Sequence, residues 1–463
     1  MMTTKVMVRD LALALVAGIL IASFFSFPQF LWSLPLIAVG LLLYLGWRQM
    51  VVIVLTITLA FGYFIWRESL AQSQTLPDSP ISGQVIFRQV DEVNQLLRVE
   101  IQDYPGSILL IVPRYPEVWV SSSIQFSCVI RPTDLERQRR LWSRGYSSRC
   151  SSREVTVIGQ VYDWRYYLHH WREWHLAQLK RHLPEPESSL VRATVLADEA
   201  EIPESTETEF SRSGLSHIMA ISGMNMTLLI GVFIILLRLR GLSYRLILLC
   251  STVVLSLYVI VIGQPASALR AVVMSLLALA GIAHQRTVDI RHLLYLTIIT
   301  LSLINPWSVG YDLGWQLSFL ALLGLLFWTE RLQQWLSGLP SWIGIRAGIS
   351  TTLAAQIFIW PLFLWHFQTV SIIAPLANIF ALPAGALLMI QGLILPLLGM
   401  IPYLGSGFAL ITYYTAHWLW LVAHWFAASD WAVIAWQLNN LEFICLMALP
   451  LLITIMLSRY EKS

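Results

Sequence analysis

Apolar runs of close to twenty residues recur along most of the chain, and no other feature limits the fold as tightly. The first, Leu11 to Phe27, follows Lys5 and Arg9, and two more, Phe30 to Gly46 and Met50 to Trp66, come directly after it. Each approaches the ~20 residues an α-helix needs to cross a bilayer core. The first run lacks a small-residue cleavage site and leads at once into further runs, so it reads as a retained helix and not a signal peptide. Later runs at 216–237, 246–263, 266–283, 293–304, 314–328, 347–365, 371–400, 407–427 and 441–457 make twelve in all, and the expectation is about eleven spans, the proline-interrupted 371–400 stretch being the hardest to count. Only 12% of residues are charged, against roughly 25% in soluble domains. That excludes a soluble globular protein and predicts a polytopic α-helical membrane protein.

Basic residues set the predicted orientation. Lys5, Arg9 and Arg48 place the N-terminus in the cytoplasm and residues 67–215 outside it. Arg238, Arg240 and Arg245, then Arg286 and Arg291, then Arg331 and Arg346, and finally Arg459 and Lys462 all fall in cytoplasmic segments on that count.

Residues 67–183 hold 15 of the 30 Lys and Arg and 12 of the 27 Asp and Glu, so a polar domain interrupts the spans. Three helices over 1–66 precede it. Within 67–162, five strand-like runs, "ISGQVIFRQV", "QLLRVEIQDY", "GSILLIVPR", "WVSSSIQFSCVI" and "EVTVIGQVY", predict a small extracytoplasmic β-barrel of OB-fold type, with Pro105-Gly106 as a tight turn. Before the last strand, "RPTDLERQRRLWSRGYSSRCSSR" carries seven arginines and two acidic residues. Arg137, Arg139, Arg140 and Arg144 beside Trp142 and Tyr146 suit a single-stranded nucleic acid, with cations on phosphates and rings under bases. The same stretch also reads as a solvated loop whose aromatics pack on the barrel. Cys128 and Cys150 are expected to form a disulfide closing it. Residues 163–183, "DWRYYLHHWREWHLAQLKRHL", read as an amphipathic helix lying in the headgroup layer. Its histidines lack the cysteine or carboxylate partners of a metal site, and no metal or other cofactor is expected. An extracytoplasmic lead-in, 184–215, connects to a helical domain, 216–463.

That helical domain carries polar residues at membrane depth. "GLSHIMAISGMNMTLL" (214–229) contains His217, Ser222, Gly223 and Asn225; on one helix, His217 and Asn225 lie roughly 80° and about 12 Å apart. "GQPASALRAVVM" places Arg270, "NPWSVGYDLGWQLSFLALLGLL" places Asp312 and Gln316, and "APLANIFALP" places Asn378 between prolines. Such groups face protein or water. A wet passage accounts for them jointly, and interhelical packing, including an Arg270–Asp312 ion pair, is the structural alternative.

In order and spacing these four motifs resemble the ComEC competence family, over most of residues 205–400, and the insert with "LWSRGY" and its paired cysteines is similar to that family's outer domain. The resemblance implies a bacterial inner-membrane channel for one strand of transforming DNA. It makes His217, Ser222, Gly223, Asn225, Arg270, Asp312, Gln316 and Asn378 candidate channel-lining residues. Two departures stand out. Met224-Asn225 replaces the family's Leu-His, removing an imidazole. None of the ten histidines forms the His-x-His-x-Asp-His cluster of the metallo-β-lactamase-like nuclease domain that many members carry. With no Walker A motif either, the expectation is a non-enzymatic conduit served by a separate ATP-driven motor and a separate nuclease, with a homodimer as one possible assembly. The alternative is a transporter or flippase for a smaller anion. A membrane hydrolase using His217 and Ser222 requires a helix break between them.

Overall fold

The computed structural model describes residues 2–24, 47–72, 80–90, 93–102, 104, 106–128, 134–221, 223–341 and 344–460. The expected span 30–46 and Ser222 therefore lie outside the described residues. Seven described helical stretches are long and apolar enough to cross a membrane: Val51–Gln72, Ser216–Leu239 (broken after Met219), Tyr244–Val261, Ala266–Ala283, Leu313–Trp335, Ile345–Phe367 and Ala374–Leu398. The expectation of about eleven is thus met only in part. The 293–304 run falls in a 15-residue helix, Ile290–Ile304. The 407–427 run is helical over Leu404–Ala427, 24 residues, but its histidines, tyrosines and tryptophans dilute its apolar character. The proline-rich 371–400 stretch is one helix, Ala374–Leu398: Pro375 sits in the first turn, where a missing N–H leaves no bond unmade, and the helix continues through Pro383 and Pro396 at the cost of a backbone bond at each.

The chain divides into two compact units. The first comprises Met1–His170, Leu236–Leu257 and Leu269–Gln316. It contains a sheet of six strands, not the five expected: β1 (Ile81–Val90), β2 (Asn94–Ile101), β3 (Ser107–Pro113), β4 (Ser122–Phe126), β5 (Tyr146–Ser151) and β6 (Val155–Gln160). Alternation builds it: Gln95, Leu97, Val99 and Ile101 of β2 all turn inward, and the three apolar ones join Val85, Ile108, Leu110, Ile124 and Phe126 in one core. Gly106, at φ +96°, stands where the Pro105-Gly106 turn is expected, Pro105 itself lying outside the described residues. The strand order is β5-β3-β2-β1-β4-β6, with β3 and β5 parallel. Strands β5 and β6 lie at opposite edges yet are separated by three residues, 152–154. An extended chain from Ser151 to Val155 reaches at most ~14 Å, whereas the outer strands of a flat six-stranded sheet stand ~24 Å apart. The sheet is therefore curled until its edges approach.

The basic stretch is not an irregular loop. Asp134 caps a helix, Leu135–Ser143, its carboxylate accepting from the Arg137 N–H at 2.7 Å, and β5 follows. Sequence periodicity missed β5 because "YSSRCS" has almost no apolar alternation. The expected disulfide is present, Cys128 to Cys150, Cα–Cα 5.7 Å, closing 22 residues. Replacing both cysteines by serine is expected to cost about 3 kcal/mol through the freed unfolded chain, measured as a loss in denaturant stability.

In the same unit the helices Met2–Phe24 and Trp47–Gln72 meet closely at Gly18, where a Cβ would stand 2.5 Å from the Ile57 carbonyl oxygen. The second unit comprises Trp171–Ile235, Tyr258–Ala268 and Leu317–Ser463. At its centre the helix Glu187–Leu196 is buried at every residue. Gly392 lets the Ala374–Leu398 helix lie against it, a Cβ there falling 2.6 Å from Val195 and 2.7 Å from Val191. A two-stranded antiparallel ribbon, Thr369–Ser371 with Val433–Ala435, ties the later helices.

Candidate functional site

The aromatic and basic residues singled out in the insert separate into two groups. Arg139 and Trp142 face inward within the first unit. Arg139 grips Glu68 with both guanidinium edges, at 2.7 and 3.0 Å, and donates to the Ser23 carbonyl and the Tyr311 hydroxyl, each at 2.8 Å. Trp142 is 6% exposed and stacks obliquely on Trp307, ring centres 5.2 Å apart. Asn305 donates to the Trp142 and Ser143 carbonyls, closing the last turn of the Leu135–Ser143 helix. These two side chains are a structural joint between that helix and the helical segments of their unit, which corrects their expected place on a nucleic-acid surface. Arg137 and Arg140 stand out with side chains 76% and 60% exposed, each beside a local carboxylate, Asp134 and Glu136. Arg144 is exposed as well. Tyr146 is half-buried under the Arg98 guanidinium; burial pushes its phenol up, against the pull of Arg98 and Arg144.

Asp312 and Gln316, also in the first unit, sit at an interruption between the short helix Trp307–Tyr311 and Leu313–Trp335. Asp312 accepts from the Trp315 N–H at 3.1 Å, and Gln316 donates to the Val309 carbonyl at 3.0 Å. Both satisfy backbone groups that the break orphans. Arg270 is half-buried in the first turns of Ala266–Ala283.

In the second unit the "GLSHIMAISGMNMTLL" segment is not one helix. A single turn, Ser216–Met219, ends at Ala220, which is extended at ψ 146°, and the helix resumes at Gly223. The helical-wheel angle between His217 and Asn225 therefore does not apply. Gly214, at φ +76°, ends the preceding helix Glu204–Ser213 and admits Ala374, whose Cβ would lie 2.4 Å from an added Cβ. The Ser267 hydroxyl donates to the Ile221 carbonyl at 2.7 Å, replacing a bond the break removes. His217 is exposed, its Nδ1 bonded to the Gly214 carbonyl at 3.2 Å, while Asn225 is buried, 2% exposed. Asn378 donates to the Thr352 hydroxyl at 3.3 Å, and its buried Oδ1 has no hydrogen-bond partner among the described residues.

Residues that sequence reasoning passed over make the strongest electrostatics. Arg192, fully buried, binds Asp198 at 2.7 Å, Glu201 at 3.0 Å and Glu185 at 3.0 Å, and Lys180 reaches Glu201 at 2.5 Å. Burial raises the Glu201 carboxyl, but Lys180 and Arg192 outweigh it and hold the group below its ordinary range. Burial lowers His175, whose Nε2–H donates to the Gly392 carbonyl at 3.0 Å. Two carboxylates orient histidines of the Leu404–Ala427 helix, Glu187 to His417 at 2.7 Å and Glu209 to His424 at 2.8 Å. The run "ADEAEIPESTETE" was the available signal: Arg192 stands only six and nine positions from Asp198 and Glu201, whereas His424 is 215 positions from Glu209.

The family described as Competence protein matches residues 194–461. The chain is also similar to ComE operon protein 3 of Bacillus subtilis (strain 168), 31% identical over 202 residues, 43% of this chain and 25% of that protein. The matched part thus spans a quarter of the relative's length. No solved structure matches the chain.

Proposed function

Because the chain belongs to the Competence protein family, we propose that it serves DNA uptake as a bacterial inner-membrane conduit for single-stranded DNA, with its N-terminus in the cytoplasm and the curled sheet outside, as an OB-type receptor. The observation that carries this reading is the family match over residues 194–461, a region in which helix breaks lie beside His217 and at Asp312, while Arg270 and Asn378 are carried by the continuous membrane-length helices Ala266–Ala283 and Ala374–Leu398. Interrupted helices at membrane depth suit a wet path, where water and side chains serve the freed backbone groups. An uncompensated phosphate in hydrocarbon would be prohibitive. The Cys128–Cys150 bridge suits an oxidising, extracytoplasmic compartment.

On this reading Arg137, Arg140 and Arg144 collect the polyanion. The conduit itself is non-enzymatic: a separate ATP-driven motor supplies the work and a separate nuclease removes the other strand. Disrupting the gene should abolish uptake of labelled transforming DNA, and normal uptake would overturn the proposal. In vitro, the Arg137→Ala, Arg140→Ala, Arg144→Ala triple variant of the full chain should bind oligothymidylate more weakly, with the log–log salt slope shallower by about 2, since each phosphate left without its arginine takes away about 0.7. An unchanged slope would remove these arginines from the interface.

A further inference from the structure

The Leu404–Ala427 helix carries a ladder of flat polar rings. Tyr413, His417, Trp420 and His424 fall within about 60° of one another at 100° per residue and cover about 16 Å of its axis. Tyr413 and His417 stack with centres 5.4 Å apart and planes 19° apart, and Trp420 and His424 with centres 5.3 Å apart and planes 26° apart. Trp420 also lies 5.4 Å from His417, which joins the two pairs into one row. The two imidazoles do not turn freely, because the Nδ1–H groups donate to Glu187 and Glu209 of two other helices. That leaves Nε2 as the outer nitrogen of each ring, on side chains 32% and 49% exposed.

The helix has 24 residues, ~36 Å at 1.5 Å each, long enough to cross a bilayer. Its lipid-like flank is elsewhere: Ile411, Tyr414, Trp418 and Trp425 are exposed, and they cluster roughly 120° around the helix from the ladder. The buried flank, with Ala416, Leu419 and Ala423, lies on the ladder's other side. A half-exposed row of oriented imidazole, phenol and indole rings between those two flanks is too polar to favour acyl chains. It matches the π-faces and ring-edge hydrogen bonds of nucleobases, and stacking of this kind tolerates any base sequence. We propose that Tyr413, His417, Trp420 and His424 form a stacking track for the bases of the transported strand, with Glu187 and Glu209 as positioning residues; this rests on the conduit reading above.

The test uses the full chain in lipid nanodiscs with a fluorescent oligothymidylate. Trp420→Leu should bind about tenfold more weakly, in line with the loss of one stacked base, while Trp420→Phe stays within about twofold. A benzophenone amino acid at position 413 should give a covalent adduct with the oligonucleotide, and one at position 425 an adduct with lipid. Both readouts use chains that elute as the wild type does, and the position-413 adduct leaves Trp420 in place. Unchanged affinity in Trp420→Leu with no oligonucleotide adduct at 413 overturns the track and leaves the conduit reading intact. An adduct with lipid at 413 likewise overturns it. A wild-type chain that binds no oligonucleotide overturns both.

Discussion

Arg192→Met is expected to be the most damaging single substitution in the second unit, costing about 3–5 kcal/mol. The guanidinium is fully buried, and its loss leaves Asp198 and Glu201, 14% and 39% exposed, without their shared cation. The desolvation of those carboxylates then loses its main Coulombic return, with only Lys180 left on Glu201 and the more distant Arg172 on Asp198. Thermal unfolding of the detergent-solubilised chain, followed by tryptophan fluorescence, measures the cost. The pH dependence has a definite sign. Glu201 is held below its ordinary range in the folded chain, so its contribution is present above the unfolded carboxylate pKa and is lost as pH falls through the lower, folded one. Arg192→Met removes part of that dependence and should flatten the acid limb of the stability curve. A variant as stable as the wild type at neutral pH would show that the network is solvated.

Arg139→Met is expected to cost a similar amount, about 3–5 kcal/mol, in the first unit, because Glu68 is 7% exposed and loses its bidentate partner. The Arg139→Met, Glu68→Leu double variant should recover to within about 1 kcal/mol of the wild type, since replacing both members of a buried pair by apolar groups removes the stranded charge. Oligonucleotide affinity of the double variant should equal that of the wild type, because Arg139 points inward. A fall in affinity with stability restored would return Arg139 to the binding surface, against its inward placement.

The strands β1 to β3 and the turn at Gly106 were legible because each depends on neighbours in sequence or on alternation of period two, and the Cys128–Cys150 bridge because the insert has just these two cysteines. The same local logic failed at β5, whose serines and arginine hold their place by pairing with β3 and not by apolar alternation. It failed again at Ala220: the extended residue in the middle of an apolar run is supported by Ser267, which bonds the neighbouring Ile221 carbonyl from 46 positions away.

Amino-acid order alone determined the membrane class, the helices long and apolar enough to span, the polar insert and the family motifs, since hydrophobic run length and periodicity are properties of consecutive residues. Only the tertiary structure decided which of the insert's cations face inward and which residues form the ring ladder's anchors. Glu187 and His417 are separated by 230 positions, and Glu209 and His424 by 215. Such pairings depend on how helices pack, and packing is set by side-chain shape and close approaches such as Gly392 against Val191, which no local pattern encodes.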